Sequence, residues 1–104
     1  MHQDLDDALC VKYPTIFAER HAPPGESPMH WGFTCGDGWY ALIDMLCGEL
    51  QHETDHNGAP QVVARQVKEK FGRLRFYVNQ ARERQKGMID LACAVSVWTR
   101  EESE

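Results

Sequence analysis

The stretch "QVVARQVKEKFGRLRFYVN", residues 61–79, decides the fold. In its second half Leu74, Phe76 and Val78 take one side and Arg73, Arg75 and Tyr77 the other. A period of two marks a strand with one buried face. In the first half Val63 and Val67 share a side, although Arg65 between them breaks the apolar set. "EKFG", residues 69–72, joins the halves and ends in a glycine, the residue most tolerant of a tight turn. The spacing predicts a β-hairpin.

Upstream, Trp39, Leu42, Ile43, Leu46 and Leu50 fall at i, i+3, i+4, i+7 and i+11, one apolar stripe of a helix. Tyr40, Asp44 and Gln51 lie toward its other side, and Asp37 of "GDG" is placed to cap its first turn. "HNGAP", residues 56–60, stops it, because Asn57-Gly58 accepts positive φ and Pro60 prevents continuation. Before it, "MHWGFTC", residues 29–35, reads as a short strand with Trp31 and Phe33 on one side. "APPGESP", residues 22–28, is a loop. A first helix runs to about Lys12, with Leu5, Leu9 and Tyr13 at helical spacing, and Pro14 forces a break before a turn carrying Ile16 and Phe17. Downstream, residues 81–104 form a polar lead-in and a helix whose core stripe is Met88, Leu91, Ala92 and Val95, followed by a charged, frayed end. Cys93, Ala94, Val97 and Trp98 make this helix more apolar than a surface helix needs. The order is helix, short strand, helix, β-hairpin, helix. The expected class is α+β, one domain over residues 1–104, with helices packed on a small antiparallel sheet.

The 11 Lys and Arg against 16 Asp and Glu leave a net charge of −5, which argues against wrapping nucleic acid and suits a basic protein surface. No leader peptide and no apolar run long enough for a span is visible, so the expected address is a cytoplasm. Cys10, Cys35, Cys47 and Cys93 are widely spaced without a Cys-x-x-Cys pair and read as small buried apolar residues.

Three segments invite chemistry. "HETDH", residues 52–56, has the His-Glu-x-x-His pattern of zinc proteases. It sits where its helix ends, and no third ligand is aimed at it: Glu69 lies in the hairpin, and Cys47 with His52 and His56 makes no familiar spacing. The motif therefore reads as a polar helix terminus, with a metal-dependent hydrolase on His52, Glu53 and His56 as the alternative. Cys35 precedes a helix, but Asp37 beside it would raise rather than lower a thiol pKa. Arg65, Lys68, Lys70, Arg73 and Arg75, interleaved with Phe71 and Tyr77, form the one patch resembling a nucleic-acid surface, although an ordinary half-buried sheet looks the same. No catalytic residue, metal ligand or cofactor is expected.

"KYPTIFAER" at residues 12–20, the Cys-Gly-Asp-Gly-Trp box at Cys35 to Trp39 and "VKEKFGRLRFY" at Val67 to Tyr77 are distinctive. From Tyr13 to Trp98 the chain resembles a family of small tailed-phage and prophage proteins without an assigned function. Two departures stand out. The relatives often carry a longer insertion after the box helix, where this chain has only "HETDHNGAP". They also continue past the last helix into a Cys-x-x-Cys segment, where this chain reads "SVWTREESE". The resemblance implies a phage source and a host cytoplasm, and it supplies no catalytic residue. Together with the acidic charge, it leads to the expectation of a non-enzymatic binding protein that blocks a host protein. The expected target is a defence nuclease complex, in the manner of an anti-CRISPR, with acids imitating nucleic-acid phosphates. The expected carriers are Asp4, Asp6, Asp7, Asp44, Glu49, Glu53 and Asp55, with Trp98 as an apolar contact. Val97 and Trp98 would also serve a homodimer.

Overall fold

A computed structural model describes residues 1–100, and the charged end at 101–104 lies outside the described residues. The elements are α1 (Gln3–Lys12), β1 (Phe33–Thr34), α2 (Tyr40–Asn57), β2 (Ala64–Lys70), β3 (Arg73–Val78) and α3 (Glu83–Ser96). The fold is α+β, as the period-two hairpin between helical stripes requires. The sheet order is β1-β2-β3. β2 and β3 pair antiparallel, but β1 joins β2 in parallel, with Phe33 opposite Val67 and Thr34 opposite Lys68. The sheet is therefore mixed. Since α2 carries the chain back before β2 starts, β1, α2 and β2 form a crossover unit, the connection that parallel strands need.

The hairpin turns through two residues, Phe71 at φ 56° and Gly72 at φ 76°. Two consecutive positive φ values match the twist of the flanking strands, which is why such turns usually carry Asn-Gly. A phenylalanine there bears steric strain, since its Cβ crowds the following carbonyl. Phe71 is 89% exposed, so no burial offsets that cost. Phe71→Gly is expected to raise stability by about 1 kcal/mol, read as a higher urea midpoint with an unchanged slope.

Two readings at strand ends are corrected. Val63 and Val67 do not define the inner face of β2. A bulge at Arg65 shifts the register between Ala64 and Gln66, so that Ala64 and Val67 are the buried pair. "MHW" is not a strand: Pro28–Trp31 is a single 3₁₀ turn closed by Gly32 at φ 77°, and Trp31 points to solvent while Phe33 is buried. Asp37 does not cap α2 either, because Asp37–Trp39 forms a 3₁₀ turn ahead of the helix and its carboxylate accepts from the His2 amide at 2.6 Å.

In the core, Trp39, Ile43, Leu46, Cys47 and Leu50 of α2 and its lead-in face Leu9, Ile16, Phe17, Val67, Leu74 and Phe76. Phe17 meets Phe33 edge-on at 4.9 Å. Cys35, Cys47 and Cys93 are buried and Cys10 is half-buried. Burial pushes the Cys47 and Cys93 thiols up; burial and then the Asp6 charge push Cys10 up to about 12.

α3 departs most from its reading. Its buried residues are Gln85, Ile89, Ala92, Cys93 and Ser96, whereas Leu91 and Val95 are exposed and Met88 is half-buried. The two polar members hold backbone groups. Gln85 Nε2 donates to the Pro60 carbonyl at 3.0 Å, and its Oε1 accepts from the Arg82 amide at 2.9 Å. Ser96 Oγ donates to the Cys93 carbonyl at 2.6 Å and accepts from the Leu74 amide at 2.9 Å. The Leu74 amide belongs to the outer edge of β3, so α3 satisfies and covers that edge.

Candidate functional site

The seven acids expected to meet a partner divide into two sets. Asp4, Asp7, Glu49 and Asp55 are exposed. The other three are engaged within the fold. Asp6 is buried and takes three hydrogen bonds from Arg20 at 3.0–3.1 Å. Arg20 also donates to the His30 carbonyl at 3.0 Å, so this ion pair ties α1 to the loop before β1. Glu53 is buried, with Arg84 Nε at 3.1 Å and Asn57 Nδ2 at 2.8 Å. Asp44 holds Lys12 Nζ at 2.9 Å and accepts from the Tyr13 hydroxyl at 2.5 Å. Asp6 and Glu53 are thus removed from any contact surface, and Asp44 is committed to fixing α1 against α2.

The Tyr13 hydroxyl, and then Lys12, hold the Asp44 carboxyl below its ordinary value. The matching stabilisation is complete above the usual carboxylate range and is lost as pH falls through the lowered value. Asp44→Asn is therefore expected to flatten the loss of stability below about pH 4, leaving a difference from wild type at neutral pH that closes in acid. Thermal melts across that range read it.

"HETDH" lies wholly inside α2, which continues to Asn57 and closes with Gly58 at φ 72°. His52 and His56 do come together, with ring centroids 4.5 Å apart. Their intervening partner does not join them, because Glu53 is the residue buried against Arg84. Among the described residues no group of three His, Cys, Asp or Glu side chains is placed to share a metal ion. The arrangement is two exposed imidazoles on a helix ridge.

Two surfaces remain. The first is apolar. Met45 and Leu91 are each 66% exposed and stand with Val95, Leu42 and Met88 along a groove of about 220 Å3 between α2 and α3. Glu49 is the charged residue in its lining. Periodicity did find Met88, Leu91 and Val95, but it assigned them to the core. The second surface is the hairpin, whose tip presents Phe71. Trp98, 90% exposed, stands with Val97, Gly72 and Trp39 around a depression of about 460 Å3 beside that tip. The signal missed in the sequence was "KFG" itself, where an apolar ring occupies a turn position that favours Asn.

Among the described residues no helix is long and apolar enough to cross a membrane. No protein-family model matches the chain, and searches of curated proteins and of solved structures likewise find no match.

Proposed function

We propose that the chain is a non-enzymatic binding protein that seats on a host protein and blocks it, with a defence nuclease complex as the target. The supporting observation is the α2–α3 face. Water-facing Met45, Leu91 and Val95 form a continuous apolar strip, and such strips mark contact surfaces far more often than single exposed apolar residues do. Methionine at two of its positions gives the strip a pliable surface that adapts to a partner. Glu49 at its edge and Asp55 further along the same helix suit a partner whose rim is basic, as a nucleic-acid-handling complex has. The anti-defence role draws on the phage-like sequence boxes and the net charge.

Titration of the purified chain into cleavage assays of guide-directed nuclease complexes tests this. Stoichiometric inhibition by the wild type is expected, weakened at least about tenfold by Leu91→Arg. The substitution is at an exposed position and should leave folding stability within about 0.5 kcal/mol. Unimpaired cleavage at excess protein, or equal potency of Leu91→Arg, would sink the reading.

A further inference from the structure

We infer that the outer face of the β2–β3 hairpin binds single-stranded nucleic acid, a role that does not rest on the α2–α3 contact. Val67, Leu74 and Phe76 turn into the core, so Lys68, Lys70, Arg73, Arg75 and Tyr77 share the opposite side. The register sets Lys68 directly across from Arg75, and Lys70 across from Arg73. Like charges facing each other across a ladder destabilise a hairpin. Elsewhere Lys12, Arg20, Arg65, Arg84 and Lys86 each hold a carboxylate, while Arg82 at the head of α3 holds none among the described residues. The four on this face have no carboxylate within 4 Å among the described residues, in a protein that carries five more acidic than basic groups. Arg75 Nε is shielded from water and has no hydrogen-bond partner. A polyanion laid along the strands relieves the crowding of like charges.

The rings point to bases rather than to carboxylates. Tyr77 is 46% exposed on this face, with Lys68 Nζ 5.9 Å from its ring centre. Phe71 stands at the tip in its strained conformation, with Lys70 Nζ 5.6 Å from its ring. Aromatic rings flanked by cations are what a single strand uses, its phosphates on the charges and its bases stacked on the rings. A duplex hides its base faces and an acidic peptide has none, so either would leave Phe71 and Tyr77 without a use. β3 is six residues long, about 20 Å, room for a short run of nucleotides.

Fluorescence anisotropy with a labelled oligothymidylate of about twelve nucleotides tests this between about 50 and 200 mM salt. Affinity is expected to fall with a log–log slope near −3, the value for about four phosphates on a single strand. Lys68→Gln with Arg73→Gln should lower affinity at least about tenfold and roughly halve the slope. Tyr77→Ala and Phe71→Ala should each lower affinity about fivefold or more and leave the slope unchanged. Circular dichroism confirms that each variant is folded. The inference is overturned by equal affinity for poly-glutamate or for duplex of the same length, by indifference to the ring substitutions, or by no binding at the lowest salt. Leu91→Arg should bind the oligonucleotide like wild type, which separates this face from the α2–α3 contact.

Discussion

Arg20→Ala is expected to lower folding stability by about 3–5 kcal/mol. The Arg20 and Asp6 side chains are 14% and 6% exposed, and the guanidinium satisfies both carboxylate oxygens. Its removal strands a buried carboxylate and frees the His30 carbonyl as well. Bringing two charges together inside a protein gains little over apolar packing, but removing one of them leaves the desolvation of the other uncompensated. In a chain of this length the loss is a fall in Tm of roughly 15 °C or more. Gly32 belongs to the same device. A Cβ there would lie 2.9 Å from Arg20 Nη2 and 3.0 Å from Asp6 Oδ2, on a backbone at φ 77°. Gly32→Ala should therefore destabilise through the same contact. A loss under about 1 kcal/mol for Arg20→Ala would show that the pair behaves as a surface one.

Trp39→Ala is the second large effect, about 3–5 kcal/mol. Trp39 is fully buried at the entry to α2, and its Nε1 donates to the Thr99 carbonyl at 2.7 Å, just beyond α3. Removing the ring opens a cavity between the two helices and also frees the segment that carries Val97 and Trp98. Trp39→Phe separates the contributions: it keeps most of the ring and loses the hydrogen bond, for an expected 1–2 kcal/mol, about the worth of that bond plus the size mismatch. Equal losses for the two variants would mean that the hydrogen bond, not the packing, dominates.

β3 and α2 were legible because each shows a clear period. Leu74, Phe76 and Val78 alternate cleanly, and Ile43, Leu46 and Leu50 of the α2 stripe are buried, while Leu42 lines the exposed groove beside Met45. α3 has two candidate stripes. Counting apolar residues favours Met88, Leu91 and Val95, whereas the fold buries Gln85 and Ser96, because each satisfies a backbone group that would otherwise be orphaned. Polarity in the sequence hid their burial, and burial of the other stripe was assumed from its composition. The same blindness placed Asp6 and Glu53 among exposed acids: their cations, Arg20 and Arg84, are 14 and 31 positions away in the chain, beyond any local pattern. The bulge at Arg65 has no local signature either, since an extra residue in a strand is visible only against its partner.

The parallel pairing of β1 with β2 has a kinetic consequence. The β2–β3 hairpin closes through a two-residue turn, a local event on the microsecond scale. β1 is two residues long and meets β2 only after the whole of α2 has been traversed, so its docking carries a long loop-closure entropy for few hydrogen bonds. The expected order of assembly is hairpin first, α2 laid across it, β1 last. The reverse holds for opening. Amide hydrogens of Phe33 and Thr34 should exchange through a partial unfolding of lower free energy than those in the middle of β2.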